Sequence, residues 1–304
     1  KFQPENVVKG AAEDTRFDRN DEIYFSIASI LKYVPYCGTI YIITDHQQPS
    51  FVGEFEAQGL CRSGQIQVVD HQEIFRNYQQ YLPTFNSLSI ESMLWNIKGI
   101  SNHFIYLNDD FFFNQQSDLS DFLIDGQMVI YGHWQATLIK KMKYIFRKFL
   151  QQNFGMVAEA KYSTAQMLSA DRVGMTRYYE IHHRPHILSR DLLSTYFKNN
   201  KELLDQQIQF KFRNIDQLLP VGLSNHLAIQ SDQAILKDDI DIAYLKDGRD
   251  LEKFILALSN SEIKFGCIQS LDQLESLAEG RIRAALIQKF TGFLPSQIQP
   301  TTVV

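Results

Sequence analysis

The sequence predicts an α/β fold: a mainly parallel sheet with helices on both faces. Two observations carry this expectation. Amphipathic helical segments alternate with short apolar runs rich in β-branched residues, and each run ends in polar or acidic residues. With 304 residues, 44% of them hydrophobic, the chain can also bury a large core.

From Asn20 to Tyr36, residues Ile23, Ile27, Ile30, Leu31 and Val34 recur at helical spacing, with Asn20 and Asp21 to cap the start and Pro35 to end it. Thr39 to Thr44 (TIYIIT), bounded by Gly38 and Asp45, reads as a buried strand, and Pro49 marks the loop beyond it. Gln65 to Val69 is a second strand. Ile90, Leu94 and Ile97 predict a helix that starts at Asn86 or Ser87 and ends near Gly99, and Phe104 to Leu107 (FIYL) is a third strand. Ligands of such sheets collect at the carboxyl ends of strands, here Thr44-Asp45, Asp70-His71 and Asn108-Asp109-Asp110.

Residues 136–176 change character. Lys140, Lys141, Lys143, Arg147 and Lys148 alternate with Ile139, Met142, Phe146 and Phe149 on a basic amphipathic helix. Such a face is a solvated surface, a groove wall for an anionic polymer, or a membrane-surface contact. Leu251 to Leu258 and Leu271 to Phe290 predict closing helices, and Pro295 with Pro300 a loosely held tail.

Composition excludes several classes. The net charge of -5 comes from scattered charges, so no basic field is present to hold a nucleic acid. Cys37, Cys61 and Cys267 lack metal-ligand spacing and are odd in number, which favours a reducing compartment and a cytoplasmic location. No apolar run has the length of a bilayer span, and no signal-peptide pattern opens the chain. The start at Lys1, close to an organised motif, suggests a piece of a longer protein.

Four places could carry chemistry. Tyr106-Leu107-Asn108-Asp109-Asp110-Phe111 ends a strand in an amide and two carboxylates, which can hold a divalent cation against a diphosphate or simply cap a turn. His182-His183-Arg184-Pro185-His186 offers bases near neutrality and a cation, as phosphoryl transfer requires; a structural cluster and a zinc site are its other readings. Arg213 in Phe212-Arg213-Asn214-Ile215-Asp216 can hold a phosphate with its planar fork, or pair with Asp216 on a helix. Leu82-Pro83-Thr84-Phe85-Asn86-Ser87 can bind an anion or sugar, or serve only as a helix cap.

In this order, the four places resemble the motif set of the Stealth proteins, which include bacterial capsule polymerases and the animal N-acetylglucosamine-1-phosphotransferase. The resemblance is dense from Arg16-Phe17 and Asn20-Asp21-Glu22 through Lys32-Tyr33-Val34-Pro35, Ile40 to Thr44, Gln48-Pro49-Ser50 and Asp70-His71. It continues through Leu82 to Ser87, Ile90-Glu91-Ser92, Gly99-Ile100-Ser101 and Phe104 to Asp110, then thins to His183, Pro185, His186 and Phe212-Arg213. Cys267-Ile268-Gln269-Ser270 departs from it, standing where relatives tend to carry an Asn-Asp pair.

The resemblance implies a GT-A-like or Rossmann-like nucleotide-sugar-binding core with a helical insertion. The whole chain would be a single catalytic domain: an α/β half at 1–135, the basic insertion at 136–176, and a second half at 177–304. It implies transfer of a hexose-1-phosphate from a nucleotide-sugar to a sugar hydroxyl of an oligosaccharide or polysaccharide acceptor. That would build a phosphodiester-linked capsular or cell-surface polymer and release a nucleoside monophosphate. The alternatives are a metal-dependent glycosyltransferase that releases a nucleoside diphosphate, and a non-catalytic polysaccharide-binding module. On the same basis the catalytic residues are His183, Asp110, Asn108 and Arg213. Arg16, Asn20, Thr84, Asn86, Glu91 and His186 would bind substrate. Asp109 and Asp110 would hold a divalent cation, Mg or Mn. A peripheral contact with the inner face of the membrane or with a capsule-assembly complex is the expected setting.

Overall fold

The computed structural model describes residues 22–156, 159–269, 271 and 274–299, so Arg16, Asn20 and the Asn20-Asp21 cap lie outside the described residues. The first helix, α1 (Glu22–Tyr33), buries Tyr24 to Ile30 and ends just before Pro35, where the sequence places its stop. β1 (Ile40–Thr44), α2 (Val52–Ala57) and β2 (Ile66–Asp70) follow, and β1 pairs with β2 in parallel through Thr44 opposite Asp70. Next come α3 (His71–Ile74), α4 (Ser87–Glu91), β3 (His103–Tyr106) and β4 (Phe111–Phe113).

α4 is shorter than the periodicity predicts. The Ser92 hydroxyl donates back to the Leu88 carbonyl at 2.6 Å, and the Trp95 indole nitrogen donates to the Ser92 carbonyl at 2.8 Å. Such local side-chain bonds compete with the helical ladder, and Leu94–Asn96 forms a separate 3-10 turn.

The middle of the chain holds β5 (Leu123–Ile124), β6 (Gln127–Tyr131), β7 (His133–Ala136), α5 (Thr137–Phe154), α6 (Tyr162–Arg172), β8 (Arg177–Glu180) and β9 (His186–Ser189). The rest is α7 (Arg190–Asn199), α8 (Lys201–Ile208), α9 (Pro220–Gln230), β10 (Ala234–Lys237), β11 (Ala243–Leu245), α10 (Leu251–Ser259), β12 (Phe265–Ile268) and α11 (Ser276–Lys289).

The protein is of mixed α/β class, but its strands form small mixed sheets. β1-β2, β6-β10 and β11-β12 pair in parallel, while β4-β12, β3-β9, β5-β6 and β7-β8 pair antiparallel among the described residues. Two of the antiparallel pairs matter most for the site. β3 runs against β9 with Tyr106 opposite His186, and β4 runs against β12 with Phe111 opposite Cys267. The loop 107–110 between β3 and β4 is therefore fixed at both ends by strands from much later in the chain.

Two hydrophobic clusters flank this loop. One joins α1, β4, β12, α10 and α11 through Phe25, Phe112, Phe254, Phe265 and Phe290; the other joins α6, α7, α8 and α9 through Met167, Leu193, Leu204 and Leu223. Phe104 and Tyr106 of β3 pack against both clusters, so the strand leading into the loop is held from two sides.

β12 reaches β4 closely because position 266 has no side chain. A Cβ on Gly266 would lie 2.0 Å from Cζ of the buried Phe112 ring. Overpacking of this kind costs about 1–3 kcal/mol. Gly266→Ala is therefore expected to lower the unfolding free energy from denaturant titration by that amount; an unchanged free energy would show that the two strands can separate without loss.

Candidate active site

Segments far apart in sequence converge on one cavity of about 210 Å³, lined among others by Glu91, Tyr106, Asn108, His183, His186 and Arg213. Two of the three strand ends expected to gather ligands, Thr44-Asp45 and Asp70-His71, lie outside this lining. Asp70 instead accepts from the backbone of Gln72 and His46, at 2.8 Å each, and caps α3.

α4 delivers Glu91 and Ser87. The Glu91 side chain is buried, and its Oε2 has no hydrogen-bond partner among the described residues. Burial raises its pKa to about 7, against the opposing pull of the Arg213 charge and hydrogen bonds to Tyr106 and Ser87. Arg213 lies in the irregular segment before α9 rather than on a helix, and its Nη2 donates to Ser87 Oγ at 2.8 Å. It does not pair with Asp216, whose carboxylate accepts from Lys148 Nζ at 2.9 Å and from the Tyr144 hydroxyl at 2.7 Å.

The Arg213 segment is stitched in place by buried amides. Asn86 Nδ2 donates to Gln217 Oε1 at 2.8 Å and to the Phe210 carbonyl at 3.1 Å, and Gln217 Oε1 also accepts from the Asn214 backbone at 2.8 Å. Asn86 Oδ1 caps α4 by accepting from the Leu88 N-H, and Thr84 Oγ1 donates to the Phe210 carbonyl at 3.4 Å. Thr84 and Asn86, expected at the substrate, are thus buried under the site with their polar groups engaged inside the protein.

The loop after β3 supplies the next groups. The Tyr106 hydroxyl donates to Asn108 Oδ1, and both side chains line the cavity. Asp109 is exposed, whereas Asp110 turns toward β12, where the Cys267 thiol donates to its Oδ2 at 3.5 Å. Asp110 Oδ1 is buried without a hydrogen-bond partner among the described residues. Burial, followed by the neighbouring Asp109 charge, pushes the Asp110 pKa up to about 7. Burial and the same carboxylate also push the Cys267 thiol well above its ordinary value.

His183 stands in the turn before β9, stacked 4.6 Å from the Tyr162 ring and 6.4 Å from that of Tyr244, with Phe111 edge-on at 6.2 Å. Burial, then the positive charge of Arg213, lowers its pKa and keeps the imidazole neutral. His186 is buried and donates from Nε2 to the His182 carbonyl at 3.0 Å, which fixes the turn. Arg184 points away from the cavity, donating to the Tyr131 carbonyl and lying 4.8 Å from the centre of that ring.

His182 takes part in a separate surface cluster. Possible ligand atoms of His133, His182 and Asp239 lie within 4.8 Å of one another; His133 Nδ1 bonds Asp239, and His182 Nε2 is 3.5 Å from the same carboxylate. These three residues could hold a metal ion, and their nitrogen and oxygen donors suit a transition metal. Asp109 and Asp110 offer only hard oxygens, and they gather no third His, Cys, Asp or Glu ligand among the described residues.

Residues 16–130 match the family profile described as "Stealth protein CR2, conserved region 2". The chain is 30% identical over 236 residues to an exopolysaccharide phosphotransferase of Streptomyces coelicolor, covering 78% of this chain and 23% of that protein. Residues 16–130 thus carry the second conserved region of the Stealth family. A capsular polysaccharide phosphotransferase of Actinobacillus pleuropneumoniae is 39% identical over 112 residues, covering 37% of this chain and 29% of the relative. A capsular polysaccharide phosphotransferase of Neisseria meningitidis is 43% identical over 100 residues, covering 33% and 25% respectively. The chain thus spans about a quarter of the length of these curated relatives.

Sequence reasoning missed Tyr162, Tyr244, Cys267 and Gln269 as neighbours of the site. Tyr162 and Gln269 line the cavity, and the Tyr244 hydroxyl donates to Gln269 Oε1 at 2.7 Å. Their single signal was the departure of the Cys267 segment from the family pattern.

Glu91 gives this site a measurable signature. A carboxyl whose folded pKa lies above its unfolded value binds more protons when folded, so stability is lost as pH rises from about 4.5 to about 7. The loss is on the order of 3 kcal/mol. Thermal unfolding at pH 5 and pH 8 should show Glu91→Gln more stable than the parent at pH 8 and similar at pH 5. A variant that is less stable at both values would mean that the carboxylate is well paired.

Proposed function

We propose that this chain carries the catalytic core of a sugar-1-phosphate transferase, one that moves a hexose-1-phosphate from a nucleotide-sugar to a sugar hydroxyl. The observation that carries the reading is the shared cavity: Asn108, His183 and Arg213, separated by up to a hundred or so residues, line one space with Glu91. The Streptomyces, Actinobacillus and Neisseria relatives, all named polysaccharide phosphotransferases, support the same class of reaction. Contributions from Glu91 and Asn108, from Lys161 and Tyr162, and from His183 and Arg213 support one catalytic unit that includes the 136–176 insertion.

In this mechanism the acceptor hydroxyl oxygen attacks the sugar-linked phosphorus. A bond forms between that oxygen and phosphorus, the bond from phosphorus to the oxygen bridging the two phosphates breaks, and a nucleoside monophosphate leaves. A ring nitrogen of His183, held between Tyr162 and Tyr244, accepts the hydroxyl proton. Arg213 makes no ion pair within 4.0 Å among the described residues, and its remaining N-H groups are available to the non-bridging oxygens. The Asn108 amide, oriented by Tyr106, and Glu91 would hold the sugar. Most of the acceleration would come from positioning and charge stabilisation around the phosphorus.

The buried, unpartnered Oδ1 of Asp110 fits a divalent cation such as Mg or Mn, which Asp110 would hold with Asp109. When bound, such an ion neutralises the charge of the diphosphate. The cavity volume suits a sugar phosphate, which leaves the nucleotide in the open part of the cleft. The core would then be a GT-A-like support for a nucleotide-sugar donor and a polysaccharide acceptor.

Incubation of the protein with a panel of nucleotide-sugars, an acceptor oligosaccharide and a divalent cation tests the reading by phosphorus NMR. The expected products are a new phosphodiester and a nucleoside monophosphate. A nucleoside diphosphate with phosphate-free product would mean glycosyl transfer instead. His183→Ala should lower turnover by about a thousandfold while donor binding stays within a few fold; unchanged turnover would remove His183 from the mechanism.

A further inference from the structure

α5 is mounted inside out. A surface helix ordinarily turns its apolar stripe to the core and its charges to water. Here the inner face is polar: Lys141 pairs with Asp171 at 2.5 Å, Lys148 pairs with Asp216 at 2.9 Å, and Lys140 lies 5.2 Å from the Tyr178 ring centre and 3.7 Å from Glu180. The outer face carries Leu138, Ile139, Met142, Ile145, Phe146 and Phe149, each 51–67% exposed. Their spacing follows i, i+3, i+4 and i+7, so they form one continuous stripe. Thr137 is the one buried residue of the helix.

Scattered exposed hydrophobics need no explanation, but a contiguous apolar stripe on an 18-residue helix marks a contact surface. Charge identifies what it contacts. Residues 137–156 contain Lys140, Lys141, Lys143, Arg147 and Lys148 and no acid, in a chain whose net charge is -5. Lys143 and Arg147, one turn apart at the edge of the stripe, make no ion pair among the described residues. A second copy of the chain laid against this face would set cations against cations. A surface of anionic headgroups over an apolar interior complements both the stripe and its basic edge.

We propose that α5 docks this protein on an anionic membrane surface, with Phe146 and Phe149 entering the acyl boundary and Lys143 and Arg147 lying at headgroup level. The inner face would then tie the docked helix to the site. Asp216, gripped by Tyr144 and Lys148, closes the segment that holds Arg213, and Lys161 and Tyr162 of the cavity wall follow soon after the helix. Docking by α5 would therefore hold the cavity beside the lipid surface.

Vesicle sedimentation tests the proposal with two lipid compositions, phosphatidylcholine alone and phosphatidylcholine with about a third phosphatidylglycerol. The protein should sediment with the anionic vesicles only, and less so in high salt. Phe146→Ser/Phe149→Ser and Lys143→Glu/Arg147→Glu should each weaken the partition by about tenfold or more. Lys143, Phe146 and Phe149 are exposed, and neither Lys143 nor Arg147 makes an ion pair among the described residues, so the circular dichroism melt of each variant should match the parent.

Failure to bind anionic vesicles would overturn the proposal, as would binding that both variants retain. So would a concentration-dependent dimer in sedimentation velocity that Phe146→Ser/Phe149→Ser abolishes while vesicles stay unbound. Binding to a soluble polyanion that matches the vesicle affinity and survives the Phe variant would point to an anionic polymer and equally exclude the lipid reading.

Discussion

The site depends on a four-residue loop clamped between two antiparallel ladders. β3 ends with Tyr106 opposite His186, and β4 starts with Phe111 opposite Cys267. Neither ladder exceeds four residue pairs, yet each is packed into a hydrophobic cluster, and burial rather than hydrogen bonding alone makes such short pairings persist. With both ends fixed, Asn108 faces the cavity while Asp110 turns to the Cys267 thiol. The ladder partner of β3 also sets the position of His183, three residues before His186.

A second set of ties brings in Arg213. Asn86 and Gln217 lock the start of α4 to the segment before α9, so the guanidinium meets Ser87 at the cavity wall. Buried amides with every partner supplied are rigid supports. The groups they support are not so well satisfied: Glu91 and Asp110 each keep a buried oxygen with no hydrogen-bond partner among the described residues, and each carboxyl is held near pH 7 by burial. Groups of this kind lower stability and are commonly retained where a ligand or a reaction uses them.

Local features were legible in the sequence, and long-range ones were not. The α1 periodicity, the β1, β2 and β3 runs and the closing helices could be read because propensity, pattern and boundary residues agree there. β9 and β12 could not. Each is four buried residues with no alternation, and their antiparallel partners are 80 or more residues away, so the expected mainly parallel sheet gave way to small mixed ones. The histidine and arginine motifs were visible as residues, but Thr84 and Asn86 show the limit of motif reading, since a helix-capping amide and a substrate-binding amide look alike in sequence. The amphipathicity of α5 was equally plain, yet only the fold reveals that its polar side faces inward.

The central claim is that the cavity joining Asn108, His183 and Arg213 receives the phosphate of a sugar donor. A crystal structure of the protein with a bound nucleotide-sugar tests it most directly. The account predicts the sugar-linked phosphate within about 3 Å of the Arg213 guanidinium, with the sugar toward Glu91 and Asn108. A donor bound elsewhere, for instance against His133, His182 and Asp239, with the cavity left to solvent, would contradict it.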